Sequence, residues 1–123
     1  MFNTFILFSM LIVNTGKELI QINTAKNTIE YSTTQGRFWI PCYTGSSYGT
    51  FKDLLLFDGG LIAATSKGIY FSSNGGRSWI PRCTSSCYGD FISLSENGKE
   101  LIATTSKGLY ASTNGGRSWI KRQ

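Results

Sequence analysis

Apolar and polar positions along this chain alternate in short bursts, and no segment shows the 3.6-residue apolar period of a helix. The C-terminal third shows the unit most clearly. Residues 91–95 form a short apolar segment, Glu96-Asn97-Gly98 signals a turn, and residues 100–105 are a β-rich run. Ser106-Lys107-Gly108 makes a second turn, and residues 109–113 alternate as a half-buried strand should. Asn114-Gly115-Gly116 is a strong hairpin signal, because Asn and Gly tolerate positive φ. Residues 118–122 supply a fourth strand.

The same unit recurs upstream. SKGLYASTNGGRSWIKR (106–122) repeats SKGIYFSSNGGRSWIPR (66–82), LIATTSKG (101–108) repeats LIAATSKG (61–68), and EYSTTQGRFWIPC (30–42) is a weaker third copy. Trp39, Trp79 and Trp119 are spaced 40 residues apart, and Phe51 and Phe91 open the second and third copies alike. Four short strands in about forty residues is the size of one β-propeller blade. The chain is therefore expected to be all-β, a single domain of three four-stranded antiparallel blades at about 1–50, 51–90 and 91–123. Copy one is longer than the others. Aligning residues 2–8 with its first strand and 10–15 with its second puts the extra residues around 23–28, in a lengthened hairpin. The alternative places them at the N-terminus as an added strand.

Ser72-x-Asn74-x-Gly76-x-Ser78-Trp79 and Ser112-x-Asn114-x-Gly116-x-Ser118-Trp119 resemble the Asp-box, or BNR, motif Ser-x-Asp-x-Gly-x-Thr-Trp. Ser32-x-Thr34-x-Gly36-x-Phe38-Trp39 keeps its Ser, Gly and Trp. The resemblance implies a β-propeller like those of sialidases, sortilin-type receptors, xyloglucan-degrading hydrolases and photosystem II assembly factors. In such blades the motif forms the turn between strands three and four, away from the active site, so these residues are expected to be structural. The Asn oxygen should accept turn N–H groups, with a glycine at positive φ beside it. Trp79 and Trp119 should be buried between sheets, with Trp39 similar in a looser blade.

Composition changes this picture little. Aromatic content of 14% against 15% charged residues, with 14 Gly and 2 Pro, fits a well-packed protein of short strands. The net charge of +5 favours anionic partners in general. The cations recur at repeat positions, however, and only Lys121-Arg122 clusters, so neither nucleic acid nor membrane is expected as a partner. The N-terminal MFNTFILFSMLIV is apolar but shorter than a bilayer span, and it lacks the basic region and cleavage site of a convincing signal peptide. No compartment follows. Cys42, Cys83 and Cys87 leave at least one thiol unpaired. Cys83 and Cys87 are close enough to bridge in an oxidising setting, but no structural dependence on a disulfide is expected. With no His in the chain, neither a metal site nor a cofactor is expected.

Catalysis finds no recognisable machinery. Glycoside hydrolysis needs a placed carboxylate pair, or in sialidases a tyrosine nucleophile with an arginine triad. Arg77 and Arg117 fall in the exposed tryptophan hairpins, and Glu18, Glu30, Asp53, Asp58, Asp90, Glu96 and Glu100 mostly read as solvated loop positions. The chain is thus expected to bind rather than catalyse, with a glycan or protein as ligand. Tyr48 and Tyr88, in the matching connections SSYGT (46–50) and SSCYGD (85–90), are candidate aromatic shelves, unless each packs under its own loop. A structural scaffold subunit and a glycoside hydrolase fragment are the other readings. Propellers have four to eight blades, so three are expected to close into a six-bladed ring by homodimerisation, presenting paired loops to a repetitive ligand.

Overall fold

The computed structural model describes residues 12–123. Among these residues twelve strands form three four-stranded sheets, each an antiparallel meander in chain order. The first sheet holds β1 (Ile12–Asn14), β2 (Leu19–Asn23), β3 (Thr28–Ser32) and β4 (Ile40–Tyr43). The second holds β5 (Phe51–Phe57), β6 (Gly60–Thr65), β7 (Gly68–Ser72) and β8 (Ile80–Cys83). The third holds β9 (Phe91–Asn97), β10 (Glu100–Thr105), β11 (Gly108–Ser112) and β12 (Ile120–Lys121). A short 3-10 turn at Ser86–Tyr88 precedes β9. The sheets are all-β blades, as the repeat predicts, and β5 and β9 begin at the two phenylalanines that open the copies.

Each blade packs a face on its neighbour, and the middle sheet is covered on both sides. Leu61 and Ala63 of β6 join Ile20, Ile22, Ile29, Phe51, Tyr70 and Trp79 in one core. Their neighbours Ile62 and Ala64 join Ile69, Phe91, Leu101, Ala103, Tyr110 and Trp119 in the other. This is why residues 61–64 read as a continuous apolar run: side chains alternate faces along a strand, and here both faces need an apolar residue. Phe51 and Phe91 each lie against the tryptophan of their own blade, with ring centroids 5.4 and 5.5 Å apart. The outermost strands β4 and β8 carry Pro41 and Pro81, and the edge isoleucines Ile40, Ile80 and Ile120 are exposed.

Copy one departs from its expected alignment. The segment 10–15 does not form the second strand. Ile12–Asn14 is β1, and it pairs with the true second strand, Leu19–Asn23, through Val13 and Ile20. The strand expected at residues 2–8 lies outside the described residues. The β2–β3 hairpin is indeed longer than its counterparts: Asn23 pairs with Thr28 around residues 24–27, whereas Thr65 pairs with Gly68 around Ser66-Lys67. That accounts for part of the extra length, and the remainder falls before β1.

Candidate functional site

Strand order puts two kinds of connection at opposite ends of the sheets. The first-to-second and third-to-fourth strand hairpins share one rim. The second-to-third hairpins and the links between blades share the other.

On the first rim the three tryptophan hairpins are held by side-chain oxygens. Ser72 Oγ accepts the Gly76 N–H at 2.9 Å and donates to Asn74 Oδ1 at 2.8 Å. Asn74 Oδ1 also accepts the Ser78 N–H at 3.0 Å, while its amide donates to Ser78 Oγ at 2.8 Å. Ser112, Asn114, Gly116 and Ser118 repeat this network. The indole N–H of Trp79 and of Trp119 donates to the carbonyl of Gly76 and Gly116 respectively, and the two rings are only 4% and 5% exposed. In copy one the Thr34 hydroxyl replaces the asparagine oxygen, accepting the Phe38 N–H at 2.9 Å while Ser32 Oγ accepts that of Gly36. Trp39 is half-buried, because no described sheet covers its side of blade one.

Gly76 and Gly116 sit at φ 88° and 91°. A Cβ at Gly76 would come within 2.9 Å of Ile29 Cγ2 in blade one, and a Cβ at Gly116 within 3.1 Å of Ile69 Cγ2 in blade two. These glycines therefore let each hairpin close onto the preceding blade. Above the apolar contact, Arg77 reaches from blade two to Glu18 of blade one, with Nη1–Oε2 at 3.2 Å and Nη2–Oε1 at 3.4 Å. Its guanidinium lies 4.6 Å from the Tyr31 ring centroid. At the next seam Arg82 donates to the Gly115 carbonyl at 2.8 Å and stacks on Phe71.

A cleft of about 630 Å³ opens on this rim between blades one and two. Lys17 and Glu18 come from the β1–β2 hairpin, Leu56 and Phe57 from the end of β5, and Ser73 and Asn74 from the tryptophan hairpin. Leu56 is one of the exposed large apolar side chains. Among the described lining residues Glu18 is the one carboxylate, and Arg77 engages it. The sequence signal for this cleft was slight: Leu56 and Phe57 look like ordinary strand residues until the blades are placed side by side.

Tyr48 and Tyr88 lie at the opposite rim. Each is half-buried against its inter-blade core: Tyr48 stacks near Tyr43 and Tyr70 at 5.0 and 5.1 Å, and Tyr88 near Tyr110 at 5.5 Å. Their loops are clamped to the next hairpin. The Ser66 and Ser106 hydroxyls accept the N–H of Thr50 and Asp90, and Lys67 and Lys107 donate to the carbonyls of Ser47 and Cys87.

Two carboxylates depart from the solvated expectation. Glu30 is 8% exposed on the outward face of blade one, where Gln21 Nε2, Asn23 Nδ2 and Thr28 Oγ1 donate to it. Asp53 ties β5 to β9 by accepting the Leu94 N–H at 2.7 Å. Burial raises its pKa, partly offset by the Leu94 and Leu54 N–H groups. All three cysteines are free. Cys83 is buried in the second core, Cys42 is half-buried and Cys87 is exposed. Burial pushes the Cys42 and Cys83 thiols up.

No protein-family model matches this chain, and no curated protein matches it. Among solved structures the chain is similar to an ancestral GH74 enzyme, a β-propeller glycoside hydrolase, with a TM-score of 0.66 at 18% identity. The match covers 90% of this chain but 17% of the enzyme's. It supports the propeller fold, and the chain spans about a sixth of that enzyme's length.

Proposed function

We propose that this chain is a non-catalytic propeller module that binds a glycan or a protein segment in the cleft between blades one and two. The observation that carries the reading is the lining of that cleft. The exposed Leu56 on one wall faces Lys17, Ser73 and Asn74 on the others, while its neighbour Phe57 turns to the core between blades two and three. A sugar ring presents an apolar C–H face and a rim of hydroxyls, which is the complement of such a surface. Hydrolysis is disfavoured by the same lining, since one carboxylate already engaged by arginine is not the flanking pair that glycoside cleavage needs.

The test is a titration of isotope-labelled protein with a panel of neutral oligosaccharides. Amide shifts should cluster at Lys17, Leu56, Ser73 and Asn74, and Leu56→Ser should remove them. Oligosaccharide chain lengths should stay unchanged on prolonged incubation, and cleavage products would reject the non-catalytic reading. A scaffold role is favoured by a different feature, the exposed Ile40, Ile80 and Ile120 along the outer edges. If no glycan shifts the cleft amides while substitution of these isoleucines abolishes capture of a specific protein, that second reading replaces the first.

A further inference from the structure

The register of the three blades fixes which residues are equivalent. Leu19, Leu61 and Leu101 each pair with the serine that opens their tryptophan hairpin, Ser32, Ser72 and Ser112. The residues just before them, Glu18, Gly60 and Glu100, therefore occupy one structural position. Arg37, Arg77 and Arg117, each five residues beyond its serine, occupy another. Where blade two meets blade one, Arg77 binds Glu18. Where blade three meets blade two, the acidic position is Gly60, and Arg117 has no ion pair among the described residues, keeping the bond to the Asn114 carbonyl that Arg77 makes to that of Asn74.

That leaves one arginine and one acid, on the two faces that meet no described sheet. Arg37 is exposed on blade one and makes no ion pair among the described residues, while Glu100 stands on the far side of blade three, paired with Arg122 of its own sheet. The apolar positions tell the same story. Ile62 and Ile69 are fully buried between blades two and three, and their equivalents on the open side of blade three are the half-buried Ile102 and Leu109. Ile29 and Ile69 press onto Gly76 and Gly116, yet the matching Gly36 has only its own blade's Trp39 and Leu19 within 4 Å among the described residues. Blade one thus carries a glycine notch, a half-buried tryptophan and a cation. Blade three carries the leucine and the anion that fit them.

We infer that blade three of one chain docks on blade one of a second copy, with Leu109 against Gly36 and Trp39 and with Glu100 paired to Arg37 across the seam. Arg122, equivalent to Arg82, then transfers from Glu100 to the partner's hairpin carbonyl at the position of Gly115, which in blade one is Gln35. Two such seams close a ring of six blades, inside the range propellers adopt.

The experiment is a charge swap on the full chain, read as mass in solution and checked by circular dichroism for folding. Wild type should run at twice its 13.6 kDa. Arg37→Glu and Glu100→Arg each place like charges at both seams, and each should weaken association by at least about tenfold. An equimolar mixture of the two folded single variants should recover the dimer, because every seam then pairs opposite charges, and so should the double variant. Leu109→Asp should abolish the dimer in either background. A wild-type monomer at micromolar concentration, open-ended higher oligomers, or a dimer indifferent to Arg37→Glu would each overturn the inference. Ligand titration is read on the cleft and not on mass, so the binding proposal can fail or stand separately.

Discussion

Asn74 shows how much of a blade depends on a single oxygen. Its Oδ1 receives the Ser72 hydroxyl and the Ser78 N–H together, so Asn74→Ala leaves both donors without that partner. The variant should lose ~1–2 kcal/mol in urea melts. Trp79→Ala empties a site between two sheets and should lose ~3–5 kcal/mol. The thiols should separate by burial: an exposed Cys87 should react with a maleimide well before Cys42 and Cys83, whose pKa values burial raises. The Ser, Gly and Trp of these hairpins were legible in the sequence because a tight turn and an inter-blade anchor demand those residue types. Thr34 was not. Motif matching compares residue identities, whereas the turn needs an acceptor oxygen at the right distance, and a hydroxyl meets that need. Glu30 was misread for another reason. Its donors Gln21 and Asn23 become its neighbours only through the β2–β3 register.

At the level of strands, β5 and β9 are joined by a carboxylate instead of by sheet pairing. The folded pKa of Asp53 lies above its ordinary 3.8, chiefly through burial. The folded state therefore binds this proton more readily than the unfolded chain does. The resulting contribution to stability is complete below the ordinary value and is lost as pH rises through the folded one. Melting temperatures across that interval should show this slope in wild type and not in Asp53→Asn, whose amide oxygen can still accept the Leu94 N–H. The strands of blades two and three were readable because their hairpins are tight and their repeats agree. Blade one was misaligned by a strand because Ile12 and Val13 suit either a first or a second strand on apolarity alone. The choice between them rests on cross-strand pairing with Leu19–Asn23.

For the whole molecule, burial is concentrated in the middle. Hydrogen exchange should be slowest at the amides of β6, whose side chains are covered on both faces, and faster in β2 and β10. An arc of stacked blades also has long outer rims, where β4 and β8 leave one backbone edge unpaired within their sheets and expose isoleucine beside it. Such an edge is a template on which an unrelated strand can add, and repetition presents it again on the next blade. Pro41 and Pro81 interrupt it, since proline has no N–H to offer an incoming strand, and Lys121 puts a charge at the third position. Replacing Pro81 with valine should leave the fold in place yet raise the rate of thioflavin-positive aggregation. The rim prolines would then be guarding the protein against its own repetition.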